Sequence, residues 1–105
     1  MKQFEIYVAN LDPTIGAEIK KTRPVMIISP NEMNNNIRTV IVAPITSQTH
    51  NNIPTRIEID INGRLSYVVL DQIRTLDKKR LTKFILKISL EEQEEIKHSL
   101  QEMFA

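Results

Sequence analysis

The sequence predicts a mainly β chain with one C-terminal helix, folded as a small twisted antiparallel barrel or half-barrel that the helix covers. Three observations predict it. Short Ile- and Val-rich segments are separated at regular intervals by Pro, Gly and Asn. An Asn62-Gly63 pair, the strongest short hairpin signal, lies between two such segments. From Ser89 onward the pattern changes to helical spacing, behind a serine suited to cap a helix.

The elements follow in chain order. FEIYVANL (Phe4–Leu11) alternates in part and predicts a strand. DPTIGAEIKKT (Asp12–Thr22) carries turn chemistry at Asp12-Pro13 and Gly16 and predicts an eleven-residue loop. Loops of that length in small domains are more often functional or mobile. PVMIIS and TVIVAP are continuous apolar runs that predict central strands, and the intervening PNEMNNNIR predicts a polar turn. SQTHNN predicts a second polar loop.

TRIEIDI is the cleanest strand, with Ile57, Ile59 and Ile61 on one face and Arg56, Glu58 and Asp60 on the other. LSYVVL is its return strand. DQIRTLDKKRL is too charged for a core strand and predicts a turn or short helix, with KFILKI as one last short strand. In the final segment, Ser89 and Glu92 form a capping-box pair, and acidic residues crowd the first turns, where the helix dipole favours them. Ile96, Leu100, Met103 and Phe104 make one apolar stripe.

Composition narrows the function classes. A chain of 105 residues with 41% apolar and 26% charged residues is one globular domain, residues 1–105. The absence of cysteine excludes disulfides, thiolate catalysis and thiolate metal sites, and fits a reducing cytoplasm. MKQFEIYVANLDP lacks the long apolar stretch of a signal peptide. No apolar run approaches the roughly 18 residues of a membrane span. Residues 1–90 hold 13 Lys/Arg against 8 Asp/Glu, a balance of +5, and residues 91–105 hold one lysine against five glutamates, a balance of −4. The basic body is compatible with a polyanion partner, and helix capping explains the acidic tail.

Standard catalytic signatures are absent. Gly16 and Gly63 are the only glycines, so no Gly-rich phosphate loop exists, and no nucleophile elbow or metal-ligand cluster stands out. What remains gathers where strands meet loops. Glu18, Lys20, Lys21 and Arg23 precede one central strand, and Thr46, Ser47 and Gln48 follow the next. If those strands are antiparallel neighbours, Arg23 and Thr46 lie at one edge of the sheet. A solvated loop entering a strand accounts for the same residues without chemistry, and spacing leaves both readings open.

Three blocks in order carry a resemblance: D-P-T-x-G-x-E followed by R-P-V (Asp12 to Val25), P-x-T-S (Pro44 to Ser47) and D-Q-I-R-T (Asp71 to Thr75). Over about residues 4 to 104 the chain resembles the MazF/PemK family of endoribonuclease toxins from bacterial type II toxin–antitoxin pairs. The resemblance implies an SH3-like barrel, a cytoplasmic homodimer, and cleavage of single-stranded RNA at short sequences without a metal or other cofactor. It also implies an antitoxin partner whose flexible tail crosses the RNA site. Arg23 and Thr46 fall on the family's catalytic pair, and Glu18 on an acidic residue with an auxiliary role. Thr22 stands where relatives have a histidine, which removes one general acid or base. Val69 precedes the D-Q block, so a second cation must come from elsewhere, with Arg74 as a candidate.

RNA contacts are expected from Lys20, Lys21, Ser47, Gln48, Thr49, His50, Asn51, Gln72 and Arg74. The amides and hydroxyls among the loop residues, Asn52 included, suit base edges. Tyr67 is either a stacking platform or half-buried core, and Lys78, Lys79, Arg80 and Lys83 either track phosphates or form a solvated face. A different class shares the fold: CcdB-type toxins poison gyrase by binding and cut nothing. The R-P-V and P-x-T-S context points to the nuclease.

Overall fold

The computed structural model describes residues 1–11, 22–48 and 53–105. Its strands are β1 (Glu5–Asn10), β2 (Thr22–Ile27), β3 (Thr39–Thr46), β4 (Arg56–Ile61), β5 (Arg64–Val69), β6 (Arg74–Asp77) and β7 (Leu81–Lys87). A one-turn helix α1 (Asn31–Asn34) joins β2 to β3, and helix α2 (Leu90–Met103) follows β7. The strands form one curled sheet in the order β4-β5-β3-β2-β1-β7, with β6 also paired to β3 and every ladder antiparallel. This is the mainly β, half-barrel fold with a C-terminal helix that the sequence predicts.

β3 is the hinge of the architecture. Along one side it pairs with β2, Val25 opposite Pro44 and Ile27 opposite Val42. Along the other its first half takes β6, Val42 opposite Arg74, and its last two residues take β5, Thr46 opposite Tyr67. A 3-10 turn at Leu70–Gln72 separates β5 from β6 and lets consecutive segments share one long partner.

The continuous apolar runs of β2 and β3 have a physical reason: both of their faces are covered. Val25, Ile27, Val40 and Val42 pack with Ala9, Leu76 and Leu81 on one side. Met26, Ile28, Ala43 and Ile45 pack with Phe4, Ile6, Ile59, Val68, Leu70, Ile88 and Ile96 on the other, which brings α2 onto the sheet. β4 is covered on one face only and alternates accordingly, with Ile59 buried and Glu58 and Asp60 exposed.

The β4–β5 hairpin turns through Asn62 at φ 52° and Gly63 at φ 84°, the two positive values a type I′ turn requires. The Gly63 N–H donates to Asp60 Oδ1 at 2.7 Å. α2 starts with the expected capping box: Ser89 Oγ accepts from the Glu92 N–H at 3.2 Å, and Glu92 Oε1 accepts from the Ser89 N–H at 3.1 Å.

Four local expectations are corrected. β2 starts at Thr22, ahead of Pro24, which is tolerated there because Pro24 pairs with Val8 before the β3 ladder opens at Val25. The asparagine-rich turn contains a helical turn, organised by buried Asn34, whose side-chain amide donates to the Ser29 carbonyl at 2.9 Å. DQIRTLDKKRL contains the strand β6, anchored by buried Leu76, between two 3-10 turns. Phe104 caps the C-terminal end of α2 and is 68% exposed, so the covered stripe is Gln93, Ile96 and Ser99, with Leu100 and Met103 half-buried.

Candidate active site

The sheet register sets the site. Val25 faces Pro44, and the same register carried two residues outward puts Arg23 opposite Thr46. Thr46 in turn pairs with Tyr67, and Tyr67 with Glu58. Directly opposed residues share a face, so Thr46, Tyr67 and Glu58 form one paired row across three strands, and the extended β2–β3 register brings Arg23 to its end.

Two clefts meet at Arg23 and Thr46. The larger, about 410 Å³, is lined by Arg23, Pro24, Ile45, Thr46, Ser47 and Gln48, with Ile61, Arg64, Ser66 and Ile85. The smaller, about 180 Å³, is lined by Arg23, Pro44, Ile45, Thr46, Gln48, Arg56, Val69 and Gln72. Arg23, Thr46 and Gln48 therefore stand at the rim of both. A further cleft of about 480 Å³, where the β4–β5 hairpin meets the start of α2, is lined by Asp60, Glu91 and Glu92. Its carboxylates, with only Lys87 as a cation among the described lining residues, make it less suited to an anion than the clefts at Arg23.

Local hydrogen bonding orients the threonine. The Gln48 N–H donates to Thr46 Oγ1 at 3.2 Å, a local turn in which the hydroxyl oxygen is the acceptor. The hydroxyl hydrogen stays available to donate to another oxygen. Arg23 is exposed and makes no ion pair among the described residues. An open, planar guanidinium fork beside a hydroxyl donor is suited to the non-bridging oxygens of a phosphodiester.

The site contains a cation that the sequence pattern does not single out. Arg56 pairs across the strands with Val69 and lines the smaller cleft together with Arg23 and Thr46. Its side chain is 14% exposed, and it donates from Nε to Asp71 Oδ1 at 3.3 Å and from Nη2 to Asp71 Oδ2 at 3.4 Å. The Thr55 hydroxyl also donates to Asp71 Oδ1, at 2.9 Å. The Arg56 hydrogen bond, opposed by desolvation and aided by the Thr55 hydroxyl, holds the Asp71 carboxyl below the usual carboxylate range.

Other expected residues divide by position. Ser47 and Gln48 are exposed at the cleft rim, and Gln72 lines the smaller cleft. Tyr67 is half-buried within the row. Arg74 is exposed on β6 opposite Val42 and lines neither cleft. Lys78 Nζ donates to the Asn34 carbonyl and Arg80 Nη1 to the Asn10 carbonyl at 3.2 Å, so both tie backbone segments together. Lys83 is exposed on β7 opposite Val8. Glu18, Lys20, Lys21, Thr49, His50, Asn51 and Asn52 lie outside the described residues.

With this geometry in view, comparison with known proteins is decisive about family. Residues 2–104 match the family described as PemK-like, MazF-like toxin of type II toxin–antitoxin system. The chain belongs to that family. The match falls on the branch the sequence motifs indicate, and not on the CcdB-type alternative.

Among curated relatives of this PemK/MazF chain, Endoribonuclease EndoA of Bacillus subtilis (strain 168) is 38% identical over 106 residues, covering 96% of this chain and 91% of that protein. Among solved structures, an endoribonuclease in complex with its cognate antitoxin from a mycobacterial species superposes with a TM-score of 0.83 at 22% identity, covering 99% of this chain and 94% of the other. The Mycobacterium tuberculosis toxin MazF-mt6 superposes with a TM-score of 0.78 at 25% identity, covering 95% of each chain.

Proposed function

We propose that this chain is the endoribonuclease toxin of a type II toxin–antitoxin pair, cleaving single-stranded RNA at the Arg23/Thr46 edge of the sheet. The observation that carries the reading is that Arg23 and Thr46, 23 positions apart in sequence, stand across adjacent strands and line the same two clefts. Family membership supplies the reaction class, and the 38% identical relative is named for that activity.

The chemistry follows from the groups present. The RNA 2′-oxygen attacks the adjacent phosphorus, and the bond from phosphorus to the 5′-oxygen of the next nucleotide breaks. The 2′-hydroxyl proton leaves to a base, and the departing 5′-oxygen acquires a proton. The products are a 2′,3′-cyclic phosphate and a 5′-hydroxyl. Arg23 stabilises charge growing on the non-bridging oxygens, often the largest single catalytic contribution. Its planar cationic guanidinium serves as an electrostatic clamp, while the base is another group. Thr46 donates its free hydroxyl hydrogen to the phosphate. Glu18 is the proposed acceptor of the 2′-hydroxyl proton.

Base selection belongs to the rim: Ser47, Gln48 and Gln72, with Thr49, His50 and Asn51 of the adjoining segment. The proposed assembly is a cytoplasmic homodimer neutralised by an antitoxin of its own.

The test is incubation of the purified protein with a long single-stranded RNA in EDTA, with the ends of the fragments identified. Discrete fragments bearing 2′,3′-cyclic phosphate and 5′-hydroxyl ends are expected. A 2′-deoxy substitution at a mapped cleaved nucleotide is expected to abolish that cut. Two unrelated RNAs left intact, or cutting that persists at the 2′-deoxy position, would overturn the reading.

A further inference from the structure

We propose that Arg56 is a second phosphate-binding residue of this cleft, gripping the RNA backbone at a phosphate beside the one that is cleaved; the inference rests on the nuclease reading above. The placement comes from register. Arg56 pairs with Val69, and the β3–β5 register, in which Ile45 faces Val68, carried one residue further puts Val69 opposite Pro44. Arg56 thus occupies the row next to the one that holds Thr46, on the same face and two strands away, about 10 Å. Its side chain reaches into the cleft that Arg23 and Thr46 also line. From there it meets a neighbouring phosphate and leaves the scissile one to Arg23.

Its hydrogen-bonding state fits that task. A guanidinium carries five N–H donors. Asp71 takes one from Nε and one from Nη2, at 3.3 and 3.4 Å, both long for a charge-assisted pair. Among the described residues no acceptor takes the other three. Both Asp71 oxygens receive donors, so the carboxylate orients the guanidinium from behind and leaves its remaining edge for an anion. A purely structural pair, tying β4 to the turn at Leu70–Gln72, explains the hydrogen bonds. It does not explain why a largely covered arginine lines a polar cleft with donors to spare.

Counterion release separates the two roles. Each phosphate neutralised on a single strand contributes about −0.7 to the slope of log affinity against log salt. The experiment measures the dissociation constant of a fluorescent, fully 2′-O-methylated RNA oligonucleotide, which cannot be cut, across a salt series. It compares the wild type, Arg56→Ala and Arg56→Lys, with thermal melting of each. Loss of a charge-assisted contact is expected to weaken binding roughly tenfold to a hundredfold in Arg56→Ala and to flatten the slope by up to about 0.7. Arg56→Lys is expected to keep the slope while recovering only part of the affinity, because lysine lacks the planar fork. Should Arg56→Ala fail to fold, Arg56→Gln, which removes the charge but can still donate to Asp71, carries the same expectation.

A folded charge-removing variant with unchanged affinity and slope would overturn the assignment. It would leave the arginine to the scaffold or to another acidic partner such as a peptide. Cleavage of unmodified RNA by the wild type is scored separately. Its absence would count against the nuclease reading, whereas the binding slope judges Arg56 alone.

Discussion

In the proposed mechanism Thr46 acts through one hydrogen atom. Its oxygen accepts the Gln48 N–H at 3.2 Å, so the hydroxyl can point its hydrogen at a substrate oxygen without losing its own anchor. Thr46→Ser is expected to retain most of the cleavage rate, because the hydroxyl and its backbone partner persist. Thr46→Val, which keeps the shape and deletes the hydroxyl, is expected to fall by about 10²–10³, the range seen when one preorganised donor to a developing oxyanion is removed. Single-turnover rates decide between these outcomes, and equal loss in both variants would contradict the donor role. The Arg23/Thr46 pairing is legible in the sequence because the two residues flank the start of one continuous apolar run and the end of the next, and antiparallel geometry places such ends together. Arg56 was not legible. It reads as one more outward residue of an alternating strand, and its partner Asp71 comes 15 positions later in a different element. Alternation reports which face a residue takes but not which strand lies beside it.

At the scale of elements, the hairpin and the helix cap were plain in the sequence because each rests on local chemistry. Asn62-Gly63 meets the demand for two positive φ values, and Ser89 with Glu92 satisfies the helix start. Gly63→Ala is expected to cost about 1–2 kcal/mol from the left-handed backbone alone, since no atom lies within 4 Å of the added carbon. Ser89→Ala is expected to cost about 1 kcal/mol by loss of the cap. Chemical denaturation reads both. Elements defined by tertiary contacts were harder to see. β6 looks like a charged turn because only Leu76 is buried, and its strand character comes from the ladder with β3. The helix stripe illustrates the same limit. Ile96→Ala, at a fully buried position, is expected to cost about 2–5 kcal/mol. Phe104→Ala, at an exposed one, is expected to change stability by no more than about 0.5 kcal/mol. Spacing alone had assigned the two residues the same role.

For the whole molecule, the two cores on opposite faces of β2 and β3 make a packed platform, and the proposed site lies where these strands end at Arg23 and Thr46. Arg23 lines both of the clefts beside Thr46 and Arg56 the smaller one, while Asp60, Glu91 and Glu92, with Lys87, line a separate cleft. Asp71 links this arrangement to pH. Its carboxyl is depressed below the ordinary 3.8, so the stabilisation from pairing with Arg56 is fully present above that value. It is lost as pH falls through the lower folded-state value. Melting temperature is therefore expected to be insensitive to this pair near neutrality and to drop in acid below 3.8. Asp71→Asn should remove part of that acid dependence; an unchanged acid limb in this variant would contradict the linkage.

In the proposed mechanism Arg23 and Thr46 act as a unit on one phosphodiester. The rate of cleavage of a single-stranded RNA in EDTA by the wild type, Arg23→Ala, Thr46→Ala and the double variant, each shown to be folded, tests this. Either single substitution is expected to lower the rate by about 10²–10³. The double variant is expected to be little worse than the poorer single one, because residues acting as a unit are strongly non-additive. Folded single variants that cut at the wild-type rate would contradict it.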